Sequence, residues 1–111
     1  MAKIKAGILG ATGMVGQRLI TLLENHPWFE LACAAASPGS AGKSYEEAVK
    51  GRWNMKTAIP EKIKRLAVKK VEEDIDKICN EVDFVFSAVE MDKQKVREIE
   101  EEYASKNIPV V

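Results

Sequence analysis

The sequence predicts an α/β fold, a Rossmann-like parallel sheet with flanking helices, on three observations. Short apolar segments alternate with segments of helical periodicity along the 111 residues, as in successive β-α-β units. Three glycines, Gly10, Gly13 and Gly16, lie at GxxGxxG spacing between the first apolar segment and the first helical one. The length is close to that of an average domain, so residues 1–111 are expected to form one compact unit.

The first strand and the first helix follow from the hydrophobic pattern. Residues 3–9 become continuously small and apolar towards Gly10, as in a strand buried on both faces of a sheet. Residues 13–25 carry apolar side chains at helical spacing and end before Pro27, which cannot continue a helix. The apolar side chains expected to face the core are Val15, Leu19, Leu22 and Leu23. The polar side chains expected on the opposite face are Gln17, Arg18 and Glu24.

A second strand and a short helix are predicted next. Residues 29–36 form a short apolar segment, which indicates a second parallel strand. Ser44 with Glu47 three residues later has the pattern of a capping box, so a short helix begins there and ends at Gly51. Residues 52–64 have a weak pattern and predict a loop with at most one helical turn.

The remaining segments continue the alternation. We expect a third strand over residues 65–71, an acidic helix over 72–80 and a fourth strand over 82–88. Asp92 can cap a last helix, whose apolar face is formed by Val96, Ile99 and Tyr103. Residues 108–111 begin a fifth strand at the end of the sequence, so we expect the chain to be the front part of a longer protein, truncated before its catalytic domain.

Composition excludes several classes of function. Lys and Arg number 17, and so do Asp and Glu, which gives a formal net charge of zero. A chain without a basic surplus is not expected to bind nucleic acid or an anionic membrane surface. Residues 31–36 form the longest wholly apolar run, far short of the ~20 residues of a membrane helix. Cys33 and Cys79 are too few for a disulfide framework and lack metal-ligand spacing, which predicts reduced thiols in a cytoplasmic protein without a metal site.

The glycine cluster predicts a dinucleotide site. Gly10 permits a tight turn out of the strand, Gly13 lets the backbone approach a pyrophosphate, and Gly16 allows the helix to pack closely on the sheet. Backbone amides at the helix start would then bond the phosphates, and the helix dipole favours the negative charge there. The residues expected to supply these amides are Thr12, Gly13, Met14 and Val15.

The turn after the second strand favours NADP as the cofactor. An NAD site usually has an acidic residue ~20 positions beyond the glycines, which bonds the ribose 2′-hydroxyl. No acid lies between residues 31 and 43 of this chain, whereas Ser37, Ser40 and Lys43 could donate to a 2′-phosphate. The alternative is that these three are turn residues and a solvated lysine.

Two rival nucleotide motifs are incomplete. Gly42-Lys43-Ser44 resembles the end of a nucleoside-triphosphate loop, but the first glycine of that motif would have to occupy the position of Ser37. The extended short-chain dehydrogenases also begin with GxxGxxG. Their Tyr-x-x-x-Lys pair is missing, because neither Tyr45 nor Tyr103 is followed four residues later by lysine.

Five segments together resemble the aspartate-semialdehyde dehydrogenases of the archaeal and fungal type. They are GATGMVGQR (residues 10–18), ENHP (24–27), SAGK (40–43), IPE (59–61) and FVFSA (84–88). This resemblance implies an N-terminal NADP-binding domain with the glycine loop on the pyrophosphate and the serine-rich turn at the adenosine 2′-phosphate. It also implies that Ser87 and Ala88 lie beside the cofactor.

The resemblance further implies an oxidoreductase of amino-acid biosynthesis. In that family NADPH reduces β-aspartyl phosphate to aspartate semialdehyde through a cysteine thioester, with a histidine as acid and base and an arginine holding the substrate. These family residues lie further along the chain than Val111, so no catalytic residue is assigned here and the isolated chain is expected to be inactive. Cys33 and Cys79 are interpreted as packing thiols, His26 as a helix-end residue, and Trp28 and Trp53 as packing residues.

One departure from the family pattern and two alternative assignments remain. The family usually has arginine where this chain has Gly39, and a guanidinium there could bond a 2′-phosphate bidentately. Malonyl-CoA reductases resemble the same pattern, can lack that arginine, and are the nearest alternative assignment. A non-catalytic engineered nucleotide-binding scaffold is another. An exposed sheet edge also predicts association into a homo-oligomer.

Overall fold

The computed structural model describes residues 3–37, 39, 41–89 and 92–111 of the chain. Within them, parallel strands form one sheet in the order β3-β2-β1-β4. The strands are β1 (Ile4–Leu9), β2 (Phe29–Ala36), β3 (Val68–Lys70) and β4 (Phe84–Ser87). Their order and direction confirm the predicted Rossmann-like architecture.

The predicted fifth strand is present as a short extension of the sheet beside β4. Val85 and Val110 form a parallel bridge, in which Val85 N donates to Pro109 O at 3.0 Å and Val111 N donates to Val85 O at 2.9 Å. The position next to β4 is the one that the next strand of a doubly wound sheet occupies.

The helices of the described residues lie between the strands as the alternation predicts. They are α1 (Met14–Leu23), α2 (Tyr45–Ala48), α3 (Glu61–Lys64), α4 (Ile75–Glu81) and α5 (Lys93–Ser105). Two predicted caps are confirmed: Glu47 N donates to Ser44 Oγ at 3.3 Å, and Lys95 N donates to Asp92 Oδ1 at 3.0 Å. The helix α3 is the single turn expected in the loop. Among the described residues, no helix has the length and apolar content needed to cross a membrane.

Both faces of the sheet are buried, and alternate residues of β2 show how. Ala34 and Ala36 join a core on the side of α1 and α2, whereas Cys33 and Ala35 join a core on the side of α4 and α5. Successive side chains of a strand lie on opposite faces, so a strand covered on both sides has to be apolar throughout. The continuous run of small residues in β2 follows from this arrangement.

The predicted core face of α1 is wrong at three positions. The side chains of Val15 and Leu22 are 56% and 61% exposed, whereas Gln17 is 1% exposed. The helix packs on the sheet through a stripe that begins at Gly16, and glycine carries no hydrophobic signal. The stripe also includes Gln17, a polar residue whose hydrogen bonds are made inside the protein. The buried residues of α1 are Gly16, Gln17, Ile20 and Leu23.

The helix α1 also ends two residues earlier than predicted. Glu24 is extended, with a ψ of 123°, and Asn25 has a left-handed φ of 57°. His26 N then donates to Leu23 O at 3.1 Å, which closes the turn before Pro27 is reached.

Other element boundaries shift for a comparable reason: local pairings replace the ends of predicted elements. The strand β3 is shorter than residues 65–71 because Leu66 O accepts from Tyr45 N at 2.8 Å and Ala67 bridges Ser44 in antiparallel fashion. The helix α4 begins at residue 75, not 72, since the Asp74 carboxylate accepts from Lys70 N at 2.9 Å in the intervening turn. The strand β4 spans 84–87 within the predicted 82–88.

The two tryptophans differ in their surroundings. Trp53 is partly buried and meets Tyr45 edge-on, with ring centroids 6.2 Å apart, which confirms a packing role. Trp28 is 69% exposed, so the prediction that it is a packing residue is wrong. It precedes β2 at the outer end of the sheet, where its backbone O accepts from Ile4 N.

Candidate functional site

The carboxyl ends of β1, β2 and β4 meet at one edge of the sheet, and the loop that leaves β1 crosses this edge. We call residues 10–13 the glycine loop. Gly10 N and Ala11 N both donate to Ala35 O of β2, at 2.8 and 2.9 Å, and Ala88 N after β4 donates to Leu9 O at 2.8 Å. The loop is thereby tied to both neighbouring strands at the point where open parallel sheets bind ligands.

Two glycines are required here by the backbone geometry. Gly10 has a φ of +84°, and a Cβ built on it would lie 2.5 Å from Ala88 O and 2.9 Å from Val89 N. A Cβ on Gly16 would lie 2.7 Å from the Cα of Ala11. Gly10 therefore permits the tight turn, and Gly16 permits the close packing of α1 against the loop.

The start of α1 presents unused hydrogen-bond donors. Gly13 is the N-cap residue, and its side-chain-free position supplies no capping group. Among the described residues, no acceptor bonds the amides of Thr12, Met14, Val15 and Gly16. The first turn also carries no acidic side chain. Unpaired amides together with the positive end of the helix dipole make this end of α1 suited to an anion.

Two buried side chains hold the loop from below, and the sequence analysis missed both. Tyr45 Oη donates to Ala11 O at 2.7 Å. Gln17 Nε2 donates to Thr12 O at 2.9 Å and to Arg52 O at 3.0 Å, and Gln17 Oε1 accepts from Asn54 N at 2.9 Å. Burial raises the pKa of Tyr45, so its hydroxyl keeps the proton that it donates.

The sequence carries a weak signal for the role of Gln17 and none for that of Tyr45. Gln17 lies three positions before Ile20 and so continues the buried stripe of α1, although its polarity assigned it to solvent. Tyr45 follows the cap residue of a four-residue helix, in a position where nothing in the sequence indicates a partner 34 residues away.

The turn after β2 is exposed. Ser37, Gly39 and Lys43 all lie at the surface, and Ala41 N donates to Ser37 O at 3.1 Å, which closes the turn. Ser40 lies outside the described residues. Among those that are described, the Lys43 ammonium has no ion-pair or hydrogen-bond partner, and Lys43 does not contact the glycine loop through a hydrogen bond.

The residues after β4 complete the edge. Ser87 and Ala88 are half-buried, and Ser87 N donates to Val111 O at 3.0 Å. Ala88 lies against Gly10, so the structure brings the ends of β1 and β4 together. The predicted site residues thus form a tight group at the glycine loop and Ser87–Ala88, with the exposed Ser37 turn beside it at the end of β2.

The nucleoside-triphosphate alternative does not fit the geometry of Gly42-Lys43-Ser44. Gly42 N donates to Val68 O at 3.0 Å and is not free for a phosphate. Ser44 Oγ donates to Glu47 Oε1 at 3.1 Å within its own capping box. The helix that follows has four residues, too few to provide a strong helix dipole.

The two thiols and the histidine lie outside this site. Cys33 is buried, which raises its pKa to about 11, and burial also raises the pKa of Cys79. His26 Nδ1 accepts from Trp28 N at 3.1 Å, at the opposite end of the sheet from the glycine loop. Both thiols therefore remain protonated near neutral pH, as expected of packing residues. The described part of the chain also contains no cluster of His, Cys, Asp and Glu that could hold a metal ion.

A cavity of about 280 Å³ lies away from these residues. It is lined by the amino ends of β1 and β2, the end of α1 and the turn α3, including Phe29, Leu23 and Ile63. This location is opposite the carboxyl edge, where the unpaired amides are.

This chain is similar to known proteins over almost its whole length. The family model described as semialdehyde dehydrogenase, NAD binding domain, matches residues 5–111. The aspartate-semialdehyde dehydrogenase of Schizosaccharomyces pombe is 44% identical over 111 residues, which is 100% of this chain and 29% of that protein. That of Methanothermobacter thermautotrophicus is 43% identical over 105 residues, which is 95% of this chain and 28% of that protein.

A solved structure agrees with the sequence matches. The crystal structure of aspartate semialdehyde dehydrogenase with NADP from Candida albicans superposes with a TM-score of 0.83 at 37% identity, covering 98% of this chain and 29% of that one. The chain therefore spans less than a third of the length of these relatives.

Replacing Gly51 and Gly10 by alanine should separate the cost of a left-handed backbone from the cost of steric overlap. Gly51→Ala, in open space with a φ of +79°, should lower the free energy of unfolding by about 1–2 kcal/mol, the cost of a left-handed L-residue. Gly10→Ala has the same backbone cost, and its new Cβ would in addition overlap Ala88 O. It should therefore lower the free energy of unfolding by about 1–3 kcal/mol more than Gly51→Ala does. Urea unfolding of both variants measures the difference. Equal losses would show that the loop can move away from β4 without cost.

Thiol labelling should distinguish the cysteines from a nucleophile. In the folded chain at about pH 8, Cys33 should react with a disulfide reagent only as fast as the chain opens, whereas both cysteines should react at once in denaturant. Burial raises the pKa of Cys33 to about 11 in the folded chain, whereas the unfolded chain has the ordinary pKa of 9.0. The unfolded state therefore loses its proton first, and stability should fall as pH rises through this window. Rapid labelling of folded Cys33 would contradict its burial.

Proposed function

Because the chain belongs to the family of semialdehyde dehydrogenase NAD-binding domains, as its motifs predict, we propose that it binds NADP(H) with the diphosphate on the amides at the start of α1. The observation that carries this proposal is the set of amides without an acceptor among the described residues, those of Thr12, Met14, Val15 and Gly16. They lie beside Gly10, where a side chain would collide with Ala88. Backbone donors without nearby carboxylates favour a doubly charged bridge.

The cofactor would lie along the carboxyl edge of the sheet. The adenosine 2′-phosphate would contact Ser37, Ser40 and Lys43, and the residues after β4, Ser87 and Ala88, would lie beside the cofactor at the other end of the loop. The exposure of Ser37 and Lys43 and the absence of a carboxylate from residues 31–43 support this assignment. The crystal structure of the Candida albicans relative contains NADP, which supports the same choice of cofactor.

The chain would act as the cofactor domain of an aspartate-semialdehyde dehydrogenase, which reduces β-aspartyl phosphate with NADPH. Hydride transfer to an acyl group requires a nucleophile and a proton donor facing the nicotinamide. The thiols and the histidine of this chain lie elsewhere and are not suited to these roles. We therefore expect the 111 residues to bind the cofactor without turnover and the remaining two thirds of a full-length relative to supply the chemistry.

Complementation tests the proposed activity. The chain should restore NADPH-dependent reduction of β-aspartyl phosphate when combined with the catalytic portion of a full-length relative that lacks its own cofactor domain. Complementation only by the catalytic portion of a malonyl-CoA reductase, with malonyl-CoA as the substrate, would favour that alternative. Turnover by the 111-residue chain alone would contradict the proposal that it lacks a catalytic pair.

The exposed edge of the sheet is proposed to mediate association. Val111, beside β4, is 70% exposed, and open strand edges pair readily with other chains. Light scattering after size exclusion should detect a concentration-dependent dimer, and a monomer at high concentration would count against it. A cytoplasmic location is proposed on the two free thiols.

Cofactor titration tests the binding proposal. The chain should bind NADPH in preference to NADH, and Lys43→Ala should weaken NADPH by about tenfold while leaving NADH unchanged, since it removes a charged donor to the 2′-phosphate. The control is Lys62→Ala, because Lys62 is also exposed but lines the cavity at the opposite end of the sheet. Fluorescence of bound NADPH or calorimetry gives the constants.

Gly39→Arg tests the same turn by adding a group. Gly39 has open space around its Cα, so the larger side chain can be accommodated. A guanidinium there should tighten NADPH binding by about tenfold or more for each bond to the 2′-phosphate. An unchanged constant would show that the turn does not contact the phosphate.

A further inference from the structure

The hydroxyl of Tyr45 joins the buried core to the glycine loop. The side chain is 0% exposed, and its Oη donates to Ala11 O in the middle of the glycine loop at 2.7 Å. The tyrosine reaches this carbonyl from α2, beneath the loop, while its ring packs edge-on against Trp53. A buried bond to a carbonyl in a loop fixes the orientation of that peptide.

The same peptide carries one of the unpaired amides. Ala11 C=O and Thr12 N–H belong to a single planar trans peptide, so the two groups point in opposite directions. Because the carbonyl is directed to the buried hydroxyl, the Thr12 N–H is directed away from the interior. Among the described residues, no acceptor bonds that N–H.

Glycine on either side makes this orientation costly to keep without an anchor. The peptide lies between Gly10 and Gly13, and glycine opposes rotation of neighbouring peptides less than any other residue. Gln17 anchors the next carbonyl, Thr12 O, so two consecutive peptides of the loop are each held by one buried side chain. Fixing donors before the ligand arrives lowers the entropy cost of binding.

We propose that Tyr45 is a positioning residue for the diphosphate: its hydroxyl fixes the Ala11–Thr12 peptide so that the Thr12 N–H is presented to the bound anion. This role rests on the proposed NADP(H) binding and adds to it a residue that does not contact the cofactor. It predicts that removing the Tyr45 hydroxyl weakens the binding only of ligands that contain a diphosphate.

The fold contains a matched control. Tyr103, on α5 at the opposite face of the sheet, is also 0% exposed, and its Oη donates to Val71 O at 2.8 Å. Tyr45→Phe and Tyr103→Phe therefore each remove one buried hydroxyl that bonds a backbone carbonyl, and both leave the ring in place. Their effects on folding should be similar, and their effects on binding should differ.

The experiment measures the affinity of the 111-residue chain for two ligands by calorimetry, with urea unfolding in parallel. The ligands are NADPH and adenosine 2′-monophosphate, which lacks the diphosphate. Tyr45→Phe should weaken NADPH binding by about tenfold, which is the effect of one misplaced donor to a charged group. The affinity for adenosine 2′-monophosphate should be unchanged. Tyr103→Phe should leave both affinities unchanged.

Other outcomes identify which claim fails. Unchanged NADPH affinity in Tyr45→Phe, or equal losses for both ligands, would overturn the positioning role and leave the proposed function in place. A wild-type chain that binds neither ligand would overturn the proposed function, and the positioning role with it.

A second measurement on the wild-type chain does not depend on the folding of a variant. In amide-resolved NMR spectra, the chemical shift of the Thr12 N–H should change on addition of NADPH. It should not change on addition of adenosine 2′-monophosphate. A Thr12 amide that does not respond to NADPH would overturn the inference even if Tyr45→Phe failed to fold.

Discussion

The close approach of two backbones at the carboxyl edge of the sheet is the constraint on which the rest of this structure depends. The chain leaves β1 at Gly10 so near the carbonyl of Ala88 that a single methyl group would overlap it. This contact requires a left-handed turn, and the turn brings α1 directly over the end of the sheet. Gly16 then lets the first turn of α1 lie against Ala11. The amides of that first turn remain uncovered. The proposed anion site therefore rests on backbone geometry and requires no charged side chain.

Much of the fold could be predicted from the sequence because burial on both faces leaves a clear record in the strands. The span of β2 was predicted without error, and both helix caps were found from the side chains that make them. The resemblance seen in five short segments is confirmed by the family match over residues 5–111. Boundaries were less accurate where turns compete with regular structure, as at Asn25 and Asp74, since such competition depends on the surrounding fold.

The predictions failed where a residue acts against its usual preference. Gln17 is polar and buried, because its carboxamide bonds backbone groups from two segments, and a periodicity argument cannot see distant carbonyls. Leu22 and Trp28 are apolar and exposed, which no local pattern distinguishes from burial. Tyr45 is joined to the loop by a contact 34 residues distant. The candidate site was thus predictable in its donors and glycines, and not in the side chains that support them.

The exposed positions at the start of α1 have a different consequence. The donors there belong to the main chain, while the side chains of Met14 and Val15 extend into solvent, 59% and 56% exposed. Every amino acid except proline supplies the same main-chain N–H donor. Substitutions at these two positions can therefore accumulate while the electropositive corner persists. Gly10 and Gly16 cannot be replaced in the same way, because a Cβ at either position would overlap backbone atoms. We expect the least variable part of this corner to be the glycines, which have no side chain at all.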